Sequence, residues 1–108
     1  MTGFDALDVS IEMVKASAPA VAKVRSQDRS LADQTQRALQ SVPLCIAEGR
    51  KRVGRDRKHL FKIAAGSGEE ARTALQIALA WGYVDDAVIA KPLELLDRVQ
   101  AMLWGLGQ

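Results

Sequence analysis

The sequence of 108 residues lacks the hallmarks of several large protein classes. It has a single cysteine, Cys45, which cannot form an internal disulfide, and this fits a reducing compartment. No apolar run approaches the roughly 20 residues that span a bilayer, and the N-terminus has neither the basic flank nor the apolar run of a signal peptide. These absences predict a cytoplasmic protein with no membrane partner.

Side chains that carry chemistry are also scarce. His59 is the only histidine, so no second histidine completes a metal-binding set. The sequence offers no catalytic triad and no phosphate loop in a suitable context. Cys45 lies between Leu44 and Ile46, which favours an inert core thiol over a reactive one. The sequence therefore predicts a protein that is not an enzyme and that needs neither a metal nor a cofactor.

Four segments instead show apolar residues three or four positions apart, the spacing of one helix face. The predicted helices run from about residue 5 to 24, from 30 to 49, from about 55 to 83, and from about 86 to 106. Strand signals are scarce, and short polar links join the helices. The prediction is one domain, residues 1–108, with the all-α fold of an antiparallel up-down-up-down four-helix bundle.

Local signals mark where these helices begin, bend and end. Residues 30–33, Ser-Leu-Ala-Asp, have the form of a capping box for the second helix. Gly49 is predicted to end that helix in a left-handed conformation, and Asp85 with Asp86 to cap the fourth. Pro19 lies inside the first pattern, which predicts a kink or a break near Ser17.

The first predicted helix is apolar on two sides. The stripe that we expect to face the core comprises Phe4, Leu7, Ile11, Val14, Ala18 and Val21. A second stripe lies nearly opposite and comprises Val9, Met13, Ala16, Ala20 and Val24. Because a lone bundle covers only one side of a helix, this pattern predicts a homo-oligomer.

Positive charge is concentrated in one segment, although the net charge is only +2. Residues 50–62 hold seven of the fifteen Lys and Arg residues, and Asp56 is the only acid among them. The candidate nucleic-acid-binding residues are Arg50, Lys51, Arg52, Arg55, Lys58 and Lys62. Four of them, Lys51, Arg55, Lys58 and Lys62, are spaced four, three and four apart, which places them on one face of a helix. Such a row can follow a phosphate backbone.

Aromatic residues are few near this segment, since it contains only Phe61 and both Trp81 and Trp104 are distant in sequence. We therefore expect backbone recognition with little base stacking and little sequence preference. We also expect Glu48 or Glu70 to pair with a basic residue of a neighbouring helix and so to order the basic loop.

Residues 66–71 fit the Gly-x-Gly-x-x-Ala form of a dinucleotide-binding turn. Such a site needs a preceding strand within a parallel sheet, which this sequence does not supply. We interpret Ala64, Ala65, Gly66 and Gly68 as small residues that allow a neighbouring helix to approach closely.

Residues 41–43 (Ser-Val-Pro) and 46–49 (Ile-Ala-Glu-Gly) resemble the Ser-Ile-Pro-x-Asn-Ile-Ala-Glu-Gly signature of a bacterial family, the four-helix-bundle proteins of the 23S rRNA intervening sequences. The resemblance covers most of the chain and is strongest over residues 37–83, where Cys45 replaces the usual Asn and Gly68 the usual Leu. It implies a ring of five subunits. The family also resembles retroelement accessory variability determinant proteins, which implies engagement of nucleic acid.

Two functions fit these observations. The leading one is a non-enzymatic oligomer that binds an RNA or DNA backbone through its basic residues, because a ring repeats each weak phosphate contact. The alternative is an oligomeric protein-protein interaction scaffold that docks an acidic partner, such as a reverse transcriptase or a ribosomal factor.

Overall fold

The computed structural model describes the backbone of residues 3–106 and the side chains of residues 5–106. Over this range the chain forms four α-helices and no strand: α1 Gly3–Gln27, α2 Arg29–Gly49, α3 Gly54–Trp81 and α4 Asp86–Leu106. Each helix packs against its sequence neighbours, and α1 also packs against α4. The result is the predicted antiparallel up-down-up-down bundle, which measures 42 × 22 × 18 Å.

All four helices contribute a large side chain to the centre of the core. Met13, Ile46, Phe61 and Leu96 are each at most 1% exposed. Burying a side chain of this size stabilises a fold by about 1.5–3 kcal/mol, so these contacts decide how the helices pair. No helix among the described residues combines the length and the apolar character that crossing a membrane requires.

Helix α1 buries the second of its two apolar stripes, so the prediction that the first stripe faces the core is wrong. Val9, Met13, Ala20 and Val24 are buried, whereas Ile11 of the first stripe is 54% exposed. The side chain of Phe4 lies outside the described residues. The buried side also carries small residues, Ala6, Ser10 and Ser17, which let α2 and α4 approach closely. Leu7, Val14 and Val21 of the first stripe are half-buried and pack against the edge of the core, so this stripe lies at the border between core and surface.

The turn between α1 and α2 differs from the predicted capping box. Asp28 has an extended backbone and caps α2, because its Oδ1 accepts a hydrogen bond from the Leu31 amide at 2.9 Å. A single residue separates the two helices, so the chain turns at Asp28 and Ser30 already lies inside the helix. Asp33 pairs with Arg25 at 2.7 Å instead of completing a box. The predicted Asp85 cap of α4 is confirmed, since its Oδ1 accepts from the Val88 amide at 3.0 Å.

The prolines do not interrupt the helices that contain them. Helix α1 runs through Pro19 without a break, and α2 runs through Pro43. Two residues before Pro19, the Ser17 hydroxyl donates to the Met13 carbonyl at 2.7 Å and is buried. Of the predicted kink or break near Ser17, the break does not occur, because the helix continues through the hydrogen bond that Pro19 cannot make.

Gly49 does not end α2 in a left-handed conformation, and that prediction is also wrong. Positive φ angles among the described residues occur at Gly54 (61°) and Gly82 (78°), which begin and end α3. Gly49 is buried, and a Cβ atom there would lie 2.8 Å from Phe61 Cε1. Its role is therefore to let the Phe61 ring pack against the end of α2.

Candidate nucleic-acid interface

The turn from α2 to α3 places three consecutive basic side chains at one end of the bundle. The amide of Arg50 donates to the Ile46 carbonyl at 3.0 Å, and the amide of Arg52 donates to the Gly49 carbonyl at 3.0 Å. Val53 is extended, and Gly54 then turns the chain into α3. The beginning of α1 and the end of α4 lie at this same end of the bundle, because neighbouring helices are antiparallel.

Helix α3 carries the rest of the candidate residues along one flank. Arg55, Lys58 and Lys62 are spaced three and four residues apart and are exposed. Lys51 lies in the turn that precedes α3. The prediction that it shares one helix with Arg55, Lys58 and Lys62 is therefore wrong. We call Arg55, Lys58 and Lys62 the basic flank.

The basic flank borders α4. Lys58 lies seven residues before Ala65, and Arg72 lies seven residues after it, so all three share one side of α3. The Ala65 carbonyl accepts a hydrogen bond from Gln100 of α4 at 2.9 Å, and Arg72 pairs with Asp97 of α4. The contact with α2 lies on another side of α3, where Ser67 and Ser41 share a hydrogen bond of 2.8 Å.

Few of the cationic groups are neutralised by acids. Arg52 pairs with Glu48 at 3.3 Å, and both side chains are exposed. No ion pair among the described residues involves Lys51 or any member of the basic flank. The Arg57 guanidinium lies 5.3 Å from the centre of the buried Phe61 ring. The flank therefore presents ammonium and guanidinium groups to solvent.

The expectation that Glu48 or Glu70 pairs with a basic residue of a neighbouring helix is wrong, and no ion pair among the described residues involves Glu70. Glu48 pairs with Arg52 of the following turn rather than with a neighbouring helix. For two exposed groups such a pair contributes about 0–1 kcal/mol, so it orders the turn only slightly. The buried contact between Gly49 and Phe61 fixes the turn more strongly.

A second surface lies on the opposite side of the bundle, along the outer seam between α1 and α2. A groove of about 380 Å³ is lined there by Val14, Ala18, Val21, Ala22, Arg25, Gln36, Leu39 and Gln40. It continues the exposed apolar stripe of α1 that includes Ile11. In cross-section the four helices occupy the corners of a square in chain order. The side formed by α1 and α2 is opposite the side formed by α3 and α4, so this groove and the basic flank point in opposite directions.

The remaining sequence candidates form no site of their own. His59 is exposed, and no cluster that could hold a metal ion occurs among the described residues. Cys45 is half-buried, with its Sγ 3.7 Å from the Ser41 hydroxyl. Gly66 and Gly68 lie inside α3 rather than after a strand, which agrees with our rejection of a dinucleotide site. Gly68 packs against Gln100 as interpreted, whereas Gly66 is exposed and packs against nothing within 4 Å.

The family comparison covers nearly the whole described chain. A family model described as 23S rRNA-intervening sequence protein matches residues 4–105. The chain belongs to this family. A search of curated proteins and a search of solved structures each found no match.

The segment that carries the family signature, residues 41–49, makes contacts with α3 and within the turn. Ser41 bonds to Ser67 of α3, Gly49 packs on Phe61, and Glu48 pairs with Arg52. The signature residues therefore join α2 to the start of α3 and position the basic segment that follows.

The sequence analysis did not predict that Trp104 lies near the basic flank. Trp104 is 73% exposed and lies in the last turn of α4, at the same end of the bundle as the α2–α3 turn. Its separation of more than forty residues from Lys62 concealed this proximity. The alternating directions of four predicted helices were the signal that could have revealed it.

Proposed function

We propose that this protein is a non-enzymatic, cytoplasmic homo-oligomer that binds an RNA or DNA backbone. The contacts are made by the basic flank together with Arg50, Lys51 and Arg52. Phosphate groups displace counterions when they meet such a surface, so no base-specific chemistry is required for affinity. The protein acts by binding and needs neither a metal nor a cofactor.

The observation that carries this proposal is the exposed basic flank. Lys58 and Lys62 lie one turn apart on a rigid helix, and no acid among the described residues pairs with either of them. A helix holds their spacing without any cost of ordering a loop on binding. The same charges on a flexible segment would bind less tightly.

The groove between α1 and α2 supports self-association on the other side of the bundle. Ile11 and the neighbouring apolar side chains of α1 would be buried by a second copy, and Arg25 and the two glutamines, Gln36 and Gln40, would form a polar rim. Copies that meet through this groove keep their basic flanks facing outward. The resemblance to the family implies five copies in a ring, so a bound polynucleotide would touch several flanks at once.

The proposal is tested by reversing charge on the basic flank and measuring the salt dependence of binding. We expect Lys58→Glu with Lys62→Glu to weaken binding to a labelled RNA hairpin in fluorescence anisotropy. The slope of log affinity against log salt should fall by about 2, because each phosphate contact contributes about 0.9 to it. The matched control reverses Lys23 and Lys91, two exposed lysines toward the other end of the bundle, and should leave that slope nearly unchanged.

The result that contradicts the proposal is equal affinity and equal slope before and after reversal of the flank. That outcome would favour the alternative, an oligomeric scaffold whose cationic surface docks an acidic protein partner such as a reverse transcriptase or a ribosomal factor. Circular dichroism of both double variants checks that each keeps its helices.

A further inference from the structure

The two tryptophans of the chain lie at opposite ends of the bundle. Trp104 is in the last turn of α4, and Trp81 is in the last turn of α3. Since these helices are antiparallel neighbours, Trp104 lies near the start of α3 and Trp81 lies far from it. Both side chains are largely exposed, at 73% for Trp104 and 70% for Trp81.

Helix geometry places Trp104 beside the basic flank. Asp97, Gln100 and Trp104 are separated by three and four residues, so they lie on one side of α4. Asp97 pairs with Arg72, and Gln100 donates to the Ala65 carbonyl at 2.9 Å, which shows that this side faces α3. Trp104 lies four residues beyond Gln100, which corresponds to about 6 Å along α4.

Because α3 runs in the opposite direction, that step moves from Ala65 toward the start of α3, to the level of Phe61 and Lys62. Phe61 is 1% exposed and belongs to the core. The accessible groups at this level include the Trp104 ring on α4 and the side chains of Lys58 and Lys62 on the adjoining flank of α3.

An exposed aromatic ring beside a row of cations is the arrangement that proteins use to bind single-stranded nucleic acid. The cations contact phosphates, and the ring stacks on a base that is not paired within a duplex. A base in a duplex is already stacked on both sides and cannot reach such a ring. The prediction from sequence that stacking contributes little considered Phe61, which is buried, and set aside Trp104 because of its distance in sequence.

We propose that Trp104 stacks on an unpaired nucleobase while Lys58 and Lys62 hold the adjacent phosphates, so that the protein prefers single-stranded RNA or DNA over duplex. This inference rests on the proposed function and adds to it the class of nucleic acid that is selected. Trp81 offers no equivalent site, since it lies at the other end of the bundle from the basic flank, and the neighbouring Tyr83 faces Asp28, whose charge repels phosphate.

The test compares single-stranded and duplex probes on the full chain. Trp104→Ala should weaken binding to oligo(U) and oligo(dT) roughly tenfold, the usual effect of removing one stacked ring, and should change binding to a duplex of equal phosphate number less than about twofold. Trp81→Ala is the matched control and should change neither. Trp104→Tyr keeps an aromatic face and should restore most of the single-strand affinity, which separates stacking from an effect on folding.

Fluorescence gives an independent readout. In a Trp81→Phe variant Trp104 is the sole tryptophan, and stacking with a base should quench its emission when oligo(U) is added. Trp104→Ala that weakens single-strand and duplex binding equally, or weakens neither, overturns this inference and leaves the proposed function standing. Failure of the unmodified protein to bind any of the three probes would overturn both.

Discussion

Gly49 provides a quantitative test of how the α2–α3 turn is built, through the substitution Gly49→Ala. A Cβ atom at this position would lie 2.8 Å and 3.0 Å from two carbons of the Phe61 ring and 3.2 Å from Leu60 Cβ. The Phe61 ring is buried in the core, so it cannot swing into solvent to make room. Gly66 is the control, because it also lies in a helix but has nothing within 4 Å of an added Cβ.

The two substitutions are expected to change stability in opposite directions. Adding a methyl group to a filled core costs about 1–3 kcal/mol. Alanine regains up to about 1 kcal/mol of helix propensity, and less at Gly49 because it is the last residue of α2. Gly49→Ala should therefore lower the free energy of unfolding by roughly 1 kcal/mol, and Gly66→Ala should raise it by up to about the same amount.

Urea denaturation followed by circular dichroism measures both effects, at one fixed protein concentration because self-association shifts apparent stability. In thermal melts each kcal/mol corresponds to about 4–8 °C for a chain of this size. The reasoning would be refuted if Gly49→Ala stabilised the protein as much as Gly66→Ala. A Phe61→Leu background adds a check, since a smaller side chain should reduce the cost of the Gly49 substitution by about 0.5 kcal/mol or more.

Two further predictions concern the other surfaces. Ile11→Glu should shift the protein to a smaller assembly in light scattering, because it places a charge in the apolar stripe of α1 that we propose is buried between copies. The control is Ile77→Glu, on α3 outside that groove, which should leave the assembly mass unchanged. Burial and the nearby Asp28 carboxylate raise the pKa of Tyr83 above its usual 10.0, so the neutral phenol is favoured by folding. The contribution of Tyr83 to stability should therefore be fully present below pH 10.0 and be lost as the pH rises through the Tyr83 pKa. Asp28→Ala should move that pKa toward the usual value in an ultraviolet titration, and it should also cost about 1 kcal/mol of stability as a lost helix cap.

The number of helices and their order could be read from the sequence because apolar spacing depends on local geometry alone. The side of α1 that faces the core could not be read in this way. Its two stripes are similarly apolar, and the choice depended on the small residues Ser10 and Ser17 beside the second stripe, whose hydroxyls bond to carbonyls of α1 itself. A pattern based on hydrophobicity counts such residues as polar and assigns them to the surface.

In the candidate site, too, some features could be read from the sequence and others could not. The basic segment was visible because its residues are consecutive or one turn apart. Trp104 was set aside because its proximity arises only when α4 packs along α3. Gly49 was misassigned because a glycine at a helix end usually adopts a left-handed conformation. Here the close approach of Phe61 requires glycine at a backbone geometry that any residue can adopt.

Side-chain polar contacts join α3 to both of its neighbours in the bundle. Ser67 bonds to α2, and Ala65 and Arg72 bond to α4, whereas the buried hydroxyls of α1 bond only within their own helix. Sliding α3 by one turn would break all three of its contacts together. The basic flank thus lies on a helix whose axial position is fixed against both α2 and α4, so the spacing of its charged groups is set by the same contacts that align the bundle.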